Sequence, residues 1–456
     1  MQAVNRSTTT AASFWGRHGL LLLLTLLYVD TFIGRQIMAV MIEPIKQEFN
    51  ASDTAMGLIS GLAFASVFAL FGLSAGQLAD RVSRTRLLVF CALLWSVTTF
   101  FCGMATGFFA LIIARMLVAV AESPISASSL SLIADLYPLN RRAFAISCYS
   151  SAPTFATIIA MSLGAWVVEQ YGWRMGFMLV AFPAVIIAGI FFFFTTEPER
   201  GLWDKPEQAA APQSAEQKPT QETGLKDSLR TLFQQKSYLL LVLSGAITTM
   251  GANAYGMWNA TFLVRSHGLE LQDAGILTGV VAGGSAAIGM IFSGWLADHL
   301  ISRDLKWQLR LPQLGHLIGF FAMLAYLLSP KGILLQIGHL PVPTAMIWCA
   351  INGFFAVWWV GACFSFLTHI VPANKRALAI AVQTILITLC GVGLGPFIIG
   401  LLSDLLAPTM ATESLRYALL FCALTTVVAM VLLTMIASRQ AQNNSSSLNG
   451  RRVADH

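Results

Sequence analysis

Four ionisable side chains interrupt stretches that otherwise suit hydrocarbon: Asp30 and Arg35 in "YVDTFIGRQIMAV", Tyr28 to Val40, and Arg115 and Glu122 in "ARMLVAVAESPISASS", Ala114 to Ser129. A charge facing lipid costs a few kcal/mol or more, so each should face a bundle interior or a wet cavity. At about 1.5 Å of rise per residue, Asp30 lies about 15 Å and Arg35 about 22 Å from the inner edge of the membrane. Arg115 lies about 10 Å and Glu122 about 20 Å from the outer edge, so the bases share one layer and the acids a deeper one. With both acids ionised the four charges cancel. Protonating one leaves a positive site that favours an anionic group on a solute, and losing the proton weakens that attraction. Asp30 and Glu122 are therefore candidates for proton coupling, with Arg35 and Arg115 as candidates for solute binding. The competing reading is a static ion-pair lattice that only fixes helix packing.

The elements that position these residues are membrane helices. The chain has 456 residues, 56% hydrophobic and 11% charged, outside the balance of a soluble globular protein. Solid apolar runs long enough to cross about 30 Å of hydrocarbon recur along it, which selects helices over alternating barrel strands. Twelve spans are expected: Leu20–Met41, Ala55–Leu78, Leu87–Ala105, Phe108–Ala134, Phe144–Val168, Met175–Thr195, Tyr238–Val264, Ala274–Ala297, Leu311–Leu328, Thr344–Ile370, Leu378–Leu402 and Tyr417–Ala437. The first run lacks a small-residue cleavage site and reads as a retained span.

The net charge of +6 is explained by positive-inside bias rather than by a nucleic-acid partner. With the amino terminus inside, the bases placed outside are Lys46, Arg174, Arg265, Lys331 and Arg416. All 7 cysteines fall in spans without CxxC spacing, and read as packing residues rather than disulfide partners or metal ligands.

Residues 197–236 are expected to form a cytoplasmic linker, Pro- and Gln-rich and ending in a short interfacial helix around "LKDSLRTLFQQ". It separates a six-helix bundle at 20–196 from a second at 237–438, with a cytoplasmic segment at 1–19 and a disordered tail at 439–456. The halves repeat each other: "GQLADRVSR" from Gly76 returns as "GWLADHLISR" from Gly294, and "YPLNRRAFAI" returns as "VPANKRALAI". The second half is longer between its two motifs, and "SPKGILLQIGHLPVP", Ser329 to Pro343, is the natural place for the insertion. Two similar bundles can rock about a shared interface, exposing a central site to each side in turn.

Gly76, Leu78, Ala79, Asp80, Arg81, Arg84 and Arg86 resemble the loop signature of the major facilitator superfamily, and the resemblance covers essentially the whole chain. It implies an all-α integral membrane fold of twelve helices in two pseudo-symmetric six-helix bundles. An acid at a helix end can accept from the orphan N–H groups of a neighbour, and arginines can bridge carboxylates and carbonyls. Asp80, Arg81 and Arg84, with Asp298, Arg142 and Arg376 in the related motifs, are thus gating candidates; a purely topogenic charge cluster is the alternative.

"GRQIMAVMIEPIKQEF", "AVAESPISASSLSLIADLYP" and "YGWRMGF" are similar to the spinster-like branch, whose members include lysophospholipid and sphingolipid transporters. Arg35, Arg115 and Glu122 match that branch. Gly34 occupies the place of its helix 1 acid, so either Asp30, one turn earlier, substitutes, or Glu122 alone carries the proton, or transport is uncoupled.

The corresponding spans of the second half offer Asn253, Tyr255, Trp258, Asn259, Asn352, Trp358 and Trp359, aromatic and weakly polar. Facing a charged first half, they suggest an amphipathic solute, with Tyr149, Phe64, Phe68 and Gln383 as further candidates. The leading expectation is a secondary active transporter, proton-coupled, for an amphipathic or lipid-like solute. The alternatives are a carrier of a small aromatic or organic acid and a non-transporting receptor of the same fold. No Walker loop or HExxH occurs, which argues against an enzyme and a cofactor. A monomer in a bacterial inner membrane is expected, surrounded by lipid, with both termini cytoplasmic.

Overall fold

A computed structural model describes residues 14–195, 197–198, 225–372 and 375–454. Residues 1–13 of the expected segment 1–19 and most of the linker, 199–224, lie outside the described residues. Ten helical runs among them are long and apolar enough to cross a membrane: Gly16–Phe49, Asp53–Gly72, Arg84–Gly103, Phe108–Leu136, Phe144–Phe194, Lys236–His267, Leu271–Ile301, Trp307–Leu328, Ala345–Ile370 and Leu378–Gln440. Two hold a pair of spans each, the fifth turning at Gly172 (φ 82°) and the tenth at Ala411 (φ 47°), which gives the twelve spans. Helices satisfy every backbone hydrogen bond within the segment, the condition hydrocarbon imposes. Large apolar side chains such as Phe109, Phe182, Phe193 and Ile291 stand exposed on the outside, as lipid contact requires. The protein is an integral membrane protein.

The chain divides into two compact units. Unit 1 comprises Met1–Phe49 and Ala63–Lys218, with a core of Leu20, Leu24, Leu27, Leu88, Ile125, Leu132 and Phe191. Unit 2 comprises Asn50–Leu62 and Pro219–His456, with a core that includes Tyr238, Leu241, Phe366, Leu433 and Ile436.

The outer third of span 2 thus packs with the second unit, whereas the sequence placed all of 20–196 in the first bundle. Close backbone approach is the reason. A Cβ at Gly57 would lie 2.5 Å from the Pro396 carbonyl oxygen, and one at Gly400 would lie 2.2 Å from that of Asp53. Glycine on both sides lets residues 50–62 sit against span 11 with no side chain between.

Two further features depart from expectation. Between spans 9 and 10, where the sequence located the insertion, Ile333–Ile337 and Leu340–Pro343 pair as an antiparallel hairpin, with Gly338 at φ 61° opening its two-residue turn. The last helix runs to Ala454 rather than giving way to a disordered tail at 439, since no proline interrupts "SRQAQNNSSSLNGRRVA".

Candidate functional site

Spans 1 and 4 bring three of the four membrane charges together in unit 1. Arg35 Nη2 donates to Glu122 Oε1 at 2.5 Å, and Arg115 Nη1 donates to the Gly34 carbonyl at 3.1 Å. Glu122 and Arg115 are 5% and 1% exposed. Arg115 Nε and Nη2 and Arg35 Nε are buried with no hydrogen-bond partner. Rings surround the arginines: Phe32, Phe64 and Phe68 lie 4.6, 4.9 and 5.2 Å from Arg35 Cζ, and Phe64 also lies 5.4 Å from Arg115 Cζ. Two turns of helix before Arg35, Tyr28 stacks on Tyr149 with ring centroids 4.4 Å apart. The result is an arginine-rich cluster with one carboxylate, surrounded by aromatic rings. It can hold an anion on the free N–H groups and an apolar body on the rings.

Asp30 is not part of this group. Arg35 lies five residues further on, about 140° around the helix, so the two side chains leave span 1 in different directions. Asp30 is 5% exposed and lines a crevice with residues of spans 5 and 6, including Ile159, Gly164 and Pro183. Gly34 shares its face, and a Cβ there would lie 2.5 Å from Trp95 Cζ2 and 3.5 Å from Val180 Cγ1. The place of the branch's helix 1 acid is therefore filled by an indole.

The gating candidates separate. Arg84 is 2% exposed and anchors three segments of unit 1: it pairs with Asp135, donates from Nε to Glu197 Oε1 at 3.1 Å and from Nη1 to Ser131 at 2.9 Å, and reaches the Pro198 carbonyl at 3.3 Å. Burial alone would raise the Glu197 pKa. Hydrogen bonds from Ser83, the Arg84 N–H and the guanidinium outweigh it and hold the carboxyl below the usual carboxylate range. Arg81 and Asp298 are exposed, and the side chain of Asp80 lies outside the described residues. Arg142 Nε donates to the Tyr137 carbonyl at 3.5 Å, and Arg376 Nε to the Val371 carbonyl at 3.1 Å. Each arginine thus caps the helix ending five residues before it, the same device in both repeats.

A second ionic cluster, inside unit 2, escaped sequence reasoning. Arg265 Nη1 and Nη2 donate to the two Asp53 carboxylate oxygens at 2.8 and 2.9 Å, and Ser403 Oγ donates to Asp53 Oδ2 at 2.7 Å. Asp404 accepts from the backbone N–H groups of Asp53 and Thr54 at 3.0 and 2.7 Å, capping the helix start of span 2. The available signal was a Ser-Asp pair opening an apolar run, which reads as an ordinary cap.

Several of the aromatic and amide candidates of unit 2 engage internal partners. Trp258 Nε1 donates to the Pro396 carbonyl at 3.0 Å, and Asn253 Nδ2 to that of Thr249 at 3.0 Å. Asn259 accepts from Tyr326 at 2.6 Å and donates to Thr278 at 3.4 Å. Trp358 packs against Phe354 and Phe355 with ring centroids 5.7 and 4.6 Å away. His316, not singled out in the sequence, is 3% exposed and lies 3.3 Å from Thr248 Oγ1. Gln383 is fully buried with neither amide atom hydrogen-bonded. Among the described residues no group of three or more His, Cys, Asp or Glu could hold a metal ion.

Comparison with known proteins gives one consistent result. Residues 24–358 match the model of the Major Facilitator Superfamily. An MFS-type efflux pump of Mycolicibacterium smegmatis is 25% identical over 407 residues, 89% of this chain and 88% of that one. A sphingosine-1-phosphate transporter of Danio rerio is 23% identical over 416 residues, 86% of this chain and 79% of that one. The crystal structure of a bacterial homolog of the human lysosomal transporter Spinster, inward-facing and occupied, superimposes with a TM-score of 0.77 at 26% identity, covering 94% of this chain and 98% of that one.

Proposed function

The chain belongs to the major facilitator superfamily and is a membrane transporter of spinster type; from that premise we propose that it moves an amphipathic solute with an anionic head by proton-coupled alternating access. The observation that carries this reading is the Arg35–Glu122 pair beside an incompletely bonded Arg115. With Glu122 ionised, Arg35 is neutralised and Arg115 is the remaining cation of the group. A proton on Glu122 releases Arg35, and the two guanidiniums together can clamp a phosphate or carboxylate in fork geometry. Conversely, an anion that captures Arg35 leaves Glu122 without its partner and favours its protonation. By linkage each ligand promotes the other's binding by the same factor.

The rings of Tyr28, Phe32, Phe64, Phe68 and Tyr149 supply the apolar side of the site, and the sphingosine-1-phosphate transporter among the relatives agrees with a lipid-like cargo. Trp258, Asn259 and Trp358 then act by shaping unit 2 rather than by direct polar contact. We place the protein as a monomer in a bacterial inner membrane with both termini cytoplasmic, in keeping with the positive-inside distribution.

The test is identification of solutes retained by the purified protein, followed by flux in proteoliposomes with and without a proton gradient. A series of anionic amphiphiles should bind more tightly as the chain lengthens. Equal affinity for short and long acids would point to a small organic acid instead.

A further inference from the structure

Asp30 sits at the floor of a lateral crevice of about 270 Å³ between spans 1, 5 and 6, apart from the Arg35–Glu122 group. Its Oδ2 is buried with no hydrogen-bond partner, and the polar group beside the carboxyl is the backbone of Ala184. The other lining residues are all apolar or glycine, and the lip residues Ile159, Leu163, Leu179 and Pro183 are exposed on the hydrocarbon-facing surface. We propose that this crevice is a second binding site, distinct from the transport site, for a lipophilic amine that enters sideways from the membrane and pairs its nitrogen with Asp30.

The chemistry of the walls selects that class. An anionic amphiphile would meet a carboxyl and no base, since no lysine, arginine or histidine lines the crevice. A neutral polar solute would find one partner and lose the rest of its hydration. The headgroup of a bilayer phospholipid lies at the interface, about 15 Å from the depth of Asp30. A long-chain amine dissolved in the hydrocarbon as its free base meets none of these obstacles. It accepts the proton of the Asp30 carboxyl, and the ammonium–carboxylate pair forms in place from two neutral groups, so no net charge has crossed oil. The volume lies just below that of ordinary small-molecule sites. The crevice therefore takes the nitrogen and the first part of the chain, and the rest remains among the lipid tails.

The test is equilibrium binding of radiolabelled dodecylamine, dodecanol and dodecanoate to the full chain in nanodiscs. Wild type should retain dodecylamine saturably and neither of the others by the same site. Asp30→Asn should weaken the amine about tenfold to a hundredfold, the range of a charge-assisted bond. Leu163→Trp, at the exposed lip where a larger apolar side chain is tolerated by lipid, should also weaken it with Asp30 intact. Glu122→Gln should leave amine binding unchanged, which separates this site from the transport site. Unaltered amine affinity in both Asp30→Asn and Leu163→Trp, competition by dodecanoate, or loss in Glu122→Gln would each overturn the proposal.

Discussion

Gly34 and Trp95 occupy one another's space: a Cβ at residue 34 would come within 2.5 Å of the indole Cζ2, and the indole is fully buried. In the branch this chain resembles, residue 34 would be an acid. Here the ring of span 3 closes that position, and in the proposed mechanism the coupling chemistry rests on what remains next door, the Arg35–Glu122 pair.

Restoring the acid therefore tests the packing before it tests the transport. Gly34→Asp should destabilise the protein by about 1–3 kcal/mol through overpacking. Combining it with Trp95→Leu should cost less than the two changes taken singly, because the clash is shared. Thermal unfolding in detergent reads both, and simple additivity would show that the indole is not what excludes a side chain.

Arg84 is an anchor within one unit, so its loss should act on stability. Arg84→Ala leaves Asp135 and Glu197 without their common partner and should cost about 3–5 kcal/mol, as breaking a buried pair does. Unfolding midpoints measure this; a change in transport with no change in midpoint would return Arg84 to a gating role.

Glu197 gives that anchor a pH signature. Its folded pKa lies below its unfolded value, near the usual 4.3 of a glutamate, so its contribution is present above that value and is lost as pH falls through the folded one. The stability difference between wild type and Glu197→Gln should accordingly be full at pH 7 and shrink below about pH 4. A difference that grows on acidification would reverse the sign.

The Asp53–Arg265 pair should be strongly coupled. Either single change to alanine strands a charge in a buried setting, whereas the double change removes both. A double-mutant cycle on unfolding free energy should give an interaction of about 1–3 kcal/mol. Coupling below about 0.5 kcal/mol would mean that Ser403 and Asp404 hold the segment without it.

Much of the architecture was legible in the sequence. Apolar runs of membrane length, "GQLADR" with its echo "GWLADH", and the two proline–arginine loops gave twelve spans in two repeats, and Arg142 and Arg376 make the same cap five residues back in each. The location of the insertion was legible too, but its hairpin was not, because a short exposed apolar run carries no periodicity that marks a strand. The assignment of residues 50–62 to unit 2 depends on glycines meeting across distant helices, which no local pattern reports.

In the candidate site, residue type and depth singled out Arg35, Arg115 and Glu122, whereas rotation around the helix decided the rest. Asp30 and Arg35 share a span but not a face, and only the packing of spans 5 and 6 reveals what Asp30 looks into. Buried polar groups such as Asn259 and His316 look alike in a sequence; their partners lie in other helices.

The measurement that bears most directly on the transport mechanism is solute flux in proteoliposomes under an imposed pH gradient, wild type against Glu122→Gln. The glutamine keeps the size of the side chain and removes both its charge and its proton. Gradient-driven accumulation should be abolished while exchange of solute for solute continues. Undiminished pH-driven accumulation in Glu122→Gln would contradict the assignment of proton coupling to this carboxylate.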